Sequence, residues 1–374
     1  MIPALQGWLW TEAEHLGGGG YAQAYRCRHP DFPEDEYAIK VFDNPDFVKT
    51  FAREVQVLQA LTDCPGTPAL AAHGRDAAGH LCIVTTFAPG IRLDRHLRRD
   101  GTLTLAQTLA LLRQMLAVLA CAHGRGWLHK DIKASNILRD GERFTLLDWG
   151  VAAPRGDGRM ETIRAKQDFV APECYWGRHD FATDFYALGW LAVQVLSGAL
   201  PYHFAEVRDA DYRVAAHCME RPVLPEGIPA PLRSLILNWL DKEPARRLVG
   251  YDLDALFGAA PGREPEIYAW MDFRQIRHEC AFLHRAARHG VPYAQYHYAL
   301  LLRREARGKE ALYWLEKARA AGYVEAGYRL ARILMKKDDE AARRQAAELL
   351  RAAAQAGHDG ARKYLDVSTH GEDQ

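Results

Sequence analysis

A glycine-rich turn, one lysine and three acidic side chains follow one another in an order suited to holding phosphate. Between two strand-like runs, His15-Leu-Gly-Gly-Gly-Gly-Tyr-Ala-Gln-Ala-Tyr25 offers Gly17, Gly19 and Gly20 in a turn. Glycines there let backbone N–H groups approach phosphate oxygens without side-chain obstruction. Lys40 follows in Tyr37-Ala-Ile-Lys-Val41, an apolar strand pattern in which an ammonium group needs an anionic partner. The helical stretch from Phe51 to Leu61 sets Glu54 on the same face as Leu58 and Leu61, so its carboxylate points to the core and can be that partner. Downstream stand Leu128-His-Lys-Asp-Ile-Lys-Ala-Ser-Asn-Ile-Leu138, Leu146-Leu-Asp-Trp-Gly150 and Val170-Ala-Pro-Glu173.

These elements, in this order, resemble the signature of the eukaryotic-like protein kinase superfamily, Ser/Thr-directed branch, over about residues 10–257. That signature is a Gly-rich loop, a strand Lys, a helix Glu, His-Arg-Asp-x-x-x-x-Asn, Asp-Phe-Gly and Ala-Pro-Glu. The resemblance implies a bilobal α+β kinase fold that transfers the γ-phosphate of ATP to Ser or Thr of a protein substrate. It implies that Lys40, paired with Glu54, holds the α- and β-phosphates, and that Asp131 accepts or orients the attacking hydroxyl proton. Asn136 and Asp148 would hold Mg²⁺, with Mn²⁺ as an alternative ion, and Lys133 would contact the γ-phosphate. Gly17, Gly19, Gly20, Ala38, Thr85, Phe87, Ala88 and Leu138 would surround the nucleotide, Thr85 as gatekeeper and Phe87 and Ala88 in the hinge. Glu173 is expected to pair with Arg247, and Asp184 to precede the central scaffold helix.

Departures from the signature bear on regulation. The third loop glycine is Ala22, and Lys130 replaces the Arg of His-Arg-Asp, keeping the charge but losing a bidentate fork. Trp149 replaces Phe of Asp-Phe-Gly, and Lys166 stands where Ser/Thr-directed members carry Thr. Thr162 has the spacing of an activation site. A small-molecule phosphotransferase on the same fold would share Asp131, Asn136 and Asp148, and a pseudokinase scaffold is the non-enzymatic alternative.

The elements that must position these residues form two regimes. Up to residue 257 short β-like runs alternate with helix-periodic segments, and Gly258-Ala-Ala-Pro-Gly-Arg-Glu-Pro265 reads as the start of a linker. Residues 258–374 beyond that break are strong helix material and repeat. Gly290, Gly322 and Gly357 lie 32 and 35 residues apart, each preceded by Leu at −7 (Leu283, Leu315, Leu350) and Ala at −4 (Ala286, Ala318, Ala353). Each is followed by Ala at +4 (Ala294, Ala326, Ala361). A period in the thirties built from two helices predicts an all-α helical-repeat (solenoid) domain, similar to Sel-one-like, tetratricopeptide-related repeats. Such an array is expected to dock a protein substrate, with a helical extension that braces the kinase domain as the alternative. Tyr296, Tyr298, Tyr328 and Trp314 are candidate contact residues, although rings at such spacings are more often core, so the expectation rests on the array and not on any one of them.

Composition narrows the function further. Lys plus Arg and Asp plus Glu are 48 each, so there is no broad basic field for nucleic acid or a membrane surface. The apolar stretches Thr104–Ala122 and Tyr186–Leu200 read as buried helices, and the N-terminus lacks a signal-peptide pattern, so a cytoplasmic location is expected. Seven cysteines with no Cys-x-x-Cys pair predict reduced thiols and no zinc site.

Overall fold

The computed structural model describes residues 3–18, 22–156, 169–176, 178–198, 217–218, 222–260 and 279–370. Gly19, Gly20, Thr162 and Lys166 lie outside the described residues. The chain divides into two compact units, Met1–Pro201 with Pro222–Glu266, and Tyr202–Arg221 with Ile267–Gln374.

The first unit opens with an antiparallel sheet in the order β1-β2-β3-β5-β4, built from β1 (Leu9–Gly18), β2 (Gln23–His29), β3 (Phe32–Phe42), β4 (Leu70–Arg75) and β5 (Leu81–Thr86). Strand alternation divides the work of β3. Ile39 and Val41 are buried with Cys27, Cys82 and Val84 on one face, flanked by Trp8, Trp10, Tyr25 and Tyr37. Ala38, Lys40 and Phe42 therefore take the other face, where Phe42 meets Phe51 of helix α1 (Val48–Ala60) edge-on, ring centroids 5.8 Å apart. This packing brings Glu54 over Lys40.

The rest of this unit is mainly helical. It contains α2 (Leu93–Asp100), α3 (Leu105–Gly124), α4 (Phe181–Ser197), α5 (Ala230–Trp239) and α6 (Leu253–Ala259). Small sheets join β6 (Ile91–Arg92), β8 (Ile137–Asp140) and β9 (Arg143–Leu146), and β7 (Trp127–Leu128) with β10 (Ala153–Pro154). Helix α3 starts on a capping box, Thr104 with Gln107, and α4 on another, Asp180 with Thr183. By length and hydropathy α3 could cross a membrane, but Leu111, Leu112, Met115, Leu116 and Leu119 are fully buried in the protein core. In α4 every residue from Ala182 to Val193 is buried, which makes it a central post rather than a surface helix.

One expectation fails here. The cysteines are not all reduced: Cys64, just after α1, is joined to Cys121 in α3, with Cα atoms 5.8 Å apart. Their 57-residue separation in sequence hides the contact, which exists only because the turn after α1 lands on the end of α3. Cys27, Cys82, Cys174 and Cys218 are buried free thiols.

The second unit holds α7 (Glu279–Arg288), α8 (Pro292–Arg304), α9 (Gly308–Ala320), α10 (Val324–Leu334), α11 (Glu340–Gln355) and α12 (Asp359–His370), each packed on the next. The repeated glycines have one shared role. Gly290, Gly322 and Gly357 carry φ of 88°, 83° and 92°, a left-handed conformation at the end of a helix. Val291, Tyr323 and His358 N–H groups then bond back to the carbonyls of Ala286, Ala318 and Ala353, the alanines that recur four residues before each glycine. Those alanines, the recurring leucines and Ala294, Ala326 and Ala361 are all buried. Tyr296 and Tyr298, expected among the contact residues, are instead only 4% and 5% exposed and belong to the packing between helices. Trp314 and Tyr328 are half-buried, and Tyr313 is 54% exposed.

Gly322→Ala forces a Cβ into the left-handed region although nothing lies within 4 Å of it, so it should cost about 1 kcal/mol by backbone strain alone. Gly327→Ala, inside helix α10 where a Cβ would meet only the Arg319 side chain at an ordinary 3.7 Å, should stabilise by about 0.5–1 kcal/mol. Denaturant titration of the two variants should give shifts of opposite sign; equal shifts would contradict the capping role.

Candidate active site

Between the sheet and the helical part of the first unit lies a cavity of about 510 Å³. Its lining includes Gly17, Ala38, Lys40, Glu54, Thr85, Phe87, Ala88, Asp131, Lys133, Asn136, Leu138 and Asp148. All the sequence-predicted site residues within the described segments thus meet in one cleft. Leu16, Ala22, Ala24, Leu138 and Leu147 give one end an apolar lining suited to a flat ring, while the charged groups gather at the other.

The charged end is organised around Lys40. Its Nζ donates to Glu54 Oε1 and Oε2 at 2.9 and 2.8 Å and to Asp148 Oδ1 at 2.8 Å. Burial by itself would discharge the ammonium, but Asp148 and Glu54 reverse that and raise its pKa. Burial likewise pushes the Asp148 carboxyl up, yet Lys40 overcomes it and brings the pKa down to about 2. For Glu54 burial prevails, and its carboxyl is held above the ordinary value despite Lys40. Gly150 makes the cluster possible, since a Cβ there would sit 3.0 Å from Thr50 and 3.3 Å from Glu54 Oε2.

A second group faces it. Asp131 Oδ2 accepts from Lys133 Nζ at 2.7 Å and from Asn136 Nδ2 at 3.0 Å, and Asn136 Nδ2 also reaches the Asp131 carbonyl at 2.9 Å. Burial raises the Asp131 carboxyl, against the pull of Lys133, so it is a stronger base than a surface aspartate. With its amide nitrogen turned to Asp131, Asn136 can present Oδ1 to the cleft, as Asp148 can present Oδ2. Two hard oxygens beside a cluster of one cation and two carboxylates fit a divalent ion such as Mg²⁺, which takes few protein ligands and keeps water or phosphate oxygens on its other positions.

The backbone carrying these groups is strained. Lys130 and Asp148 have φ of 68° and 64°, left-handed values that cost about 1–2 kcal/mol each for side chains with a Cβ. The fully buried carboxylate of Asp184, at the start of α4, accepts from the His129 and Lys130 N–H groups at 2.9 and 2.8 Å. Burial opposes its charge, but His123 Nε2 at 2.9 Å outweighs that and lowers the pKa. His123 is fixed in turn by Tyr251 at 2.9 Å. His129 Nε2 donates to the Leu147 carbonyl at 3.0 Å, just before Asp148, and Trp149 packs edge-on against His129 while donating to Thr67 Oγ1 at 2.9 Å. Sequence reading singled out Asp184 and Trp149 but not His123, Tyr251 or Thr67; a histidine in an apolar helix carries no signal of a partner 61 residues away. The expected Glu173–Arg247 pair is present, buried and bidentate at 2.7 and 2.9 Å, with Arg247 stacked on Tyr186.

Comparison with known proteins agrees with this geometry. Residues 10–253 match the protein kinase domain model. The chain is 31% identical over 250 residues to serine/threonine-protein kinase PknJ of Mycobacterium tuberculosis, covering 62% of this chain and 42% of that protein. It is 30% identical over 247 residues to PknK of Mycobacterium bovis, covering 63% and 22%, and 29% identical over 248 residues to PknD of Mycobacterium tuberculosis, covering 63% and 37%. The match therefore spans less than half the length of these curated relatives.

Lys40→Met should leave Glu54 and Asp148 as adjacent carboxylates with no cation between them, so the folded state would retain a proton that the unfolded chain releases. Relative to the wild type, the variant should then lose stability as pH rises from the ordinary carboxyl range toward neutrality. Melting temperatures recorded across that range check this; parallel curves would contradict it.

Proposed function

Because the chain belongs to the protein kinase family, we propose that it transfers the γ-phosphate of ATP to a serine or threonine hydroxyl of a protein substrate. The observation that carries this reading is the joint arrangement of Lys40, Glu54 and Asp148 across the cleft from Asp131, Lys133 and Asn136. No one of these groups would be diagnostic; together they provide a phosphate anchor, a cation site and a base.

In this reading adenine occupies the apolar end between Ala38 and Leu138, against the segment Thr85–Ala88. Lys40 binds the α- and β-phosphates while Glu54 holds its ammonium in place. Asn136 and Asp148 would hold Mg²⁺, which when bound supplies charge to offset that developing on the β- and γ-phosphate oxygens. Asp131 accepts a hydrogen bond from the substrate hydroxyl, orients its oxygen and takes its proton as the new bond to the γ-phosphorus forms and the bond from that phosphorus to the β,γ-bridging oxygen breaks, ADP leaving with the electron pair. Lys133, already on Asp131, presents positive charge to the γ-phosphate. Transfer to Ser or Thr is supported by Lys133 and by the likeness to mycobacterial serine/threonine-protein kinases.

The second unit suits recruitment of the protein to be phosphorylated. Its three glycine-capped helix ends repeat one packing scheme, the pattern of stacked Sel-one-like arrays, and Tyr313, Trp314 and Tyr328 leave aromatic surface for a partner.

Labelled ATP with Mg²⁺ and a generic Ser/Thr acceptor tests the chemistry. Asp131→Ala and Asp148→Asn should each lower turnover by at least about 10³-fold with the fold retained by circular dichroism. Near-wild-type turnover in either would refute the mechanism. Tyr313→Ala with Trp314→Ala should leave generic-acceptor activity intact and weaken only the phosphorylation of a native protein target; equal loss on both would refute recruitment.

A further inference from the structure

Cys64 and Cys121 lie away from the cleft, yet their bond acts on the helix that supplies Glu54. Cys64 follows α1 directly: Leu61 N–H bonds to the Val57 carbonyl and Cys64 N–H to the Leu61 carbonyl, so the cysteine rides on the helix end. The turn that follows touches the other side of the site. Gly66 accepts from Leu146 N–H at 2.8 Å, and Thr67 accepts from Trp149, the neighbour of Asp148. Fixing this turn on α3 therefore fixes both carboxylates that flank Lys40.

The surroundings of the two sulfurs differ from those of the other described cysteines. The Arg125 guanidinium contacts both Cys64 Sγ and Cys121 Sγ and is itself anchored on Asp63 at 2.6 Å. A fixed cation beside a thiol favours the thiolate, the nucleophilic form. Burial instead pushes the Cys27 and Cys82 thiols up to about 12 and also raises Cys174, which keeps those groups protonated and inert. Access is graded as well, with Cys121 half-buried and Cys64 buried behind it. The Cα separation of 5.8 Å lets the bond open and close without backbone movement.

We propose that Cys64 and Cys121 form a peroxide-reactive thiol pair whose oxidation ties α1 to α3 and holds Glu54 on Lys40. The Cys121 thiolate attacks hydrogen peroxide, forming an S–O bond as the O–O bond breaks, and the released hydroxide takes a proton to become water. The Cys64 thiolate then attacks the Cys121 sulfur, forming the S–S bond and expelling the second hydroxide, which leaves as water. Two thiols are oxidised by two electrons in all, and one peroxide is reduced to two waters. A dithiol reverses the change. Only the consequence for ATP rests on the kinase reading.

The test uses the full chain with Cys280→Ser, reduced with dithiothreitol, desalted and titrated with hydrogen peroxide. Peptide mapping without reductant should recover Cys64 linked to Cys121, two hydrogen atoms lighter, before Cys27, Cys82, Cys174 or Cys218 changes. Arg125→Gln should slow that step about tenfold. The oxidised form should melt about 5–10 °C above the reduced form, a difference absent in Cys121→Ser. Its KM for ATP should be about two- to fivefold lower. A bond that dithiothreitol cannot open in the native chain, buried thiols that react as fast, an unchanged rate in Arg125→Gln, or identical melting of both forms would each overturn the proposal. If mass, rate and melting behave as expected but neither form transfers phosphate, the thiol pair stands and the kinase reading falls.

Discussion

A single ammonium group, Lys40 Nζ, lies within 2.9 Å of three carboxylate oxygens from two separate parts of the chain. Glu54 comes from α1, packed on the sheet, and Asp148 from the segment after β9, on the helical side of the cleft. The contact is thus a joint between the two halves of the first unit. Its charge is unbalanced locally: one cation faces two carboxylates, so the surroundings of Asp148 favour a further positive ion. Phosphate binding and cation binding are thus parts of one electrostatic problem, because a cation held at Asp148 would offset both the carboxylate and a phosphate placed beside it.

The joint holds only if Asp148 and Asp131 are presented at fixed angles, and that depends on strain. Lys130 and Asp148 occupy left-handed backbone that neither would choose freely. Offsetting it falls to Asp184, whose carboxylate is satisfied by two backbone N–H groups and His123 within a core where an unpaired charge would be far more costly. The buried helix α4 is thus the foundation of the site, and Glu173 with Arg247 pins its first turn through Thr183 and the Ala182 carbonyl. Trp149 fits because Thr67 accepts its indole N–H, so the larger ring keeps a hydrogen-bond partner at 1% exposure.

Much of this was legible in sequence, for reasons that differ by residue. Lys40 and Glu54 announced each other because each is a charge in an apolar pattern, and helix and strand periods alone put them on facing surfaces. The repeated glycines were legible because a left-handed helix end admits few other residues, and the three positive φ values recur at those positions. His123, Tyr251 and Thr67 were not, since their roles arise only where α3, α6 and the turn after α1 converge. The Cys64–Cys121 contact failed for the same reason, whereas Tyr296 and Tyr298 proved to be core, the commoner role of rings at helical spacing, and so drop out of the candidate contact surface.

If Lys40 and Glu54 act as one device, their contributions to phosphotransfer must be coupled. A double-mutant cycle on kcat/KM for ATP, with Lys40→Met, Glu54→Gln and the pair, measures that coupling directly. Each single change should cost at least about 10²-fold, and the double variant should be no worse than the poorer single one. Losses that multiply, so that the double variant falls by the product of the two, would show that the residues act independently and would contradict the account.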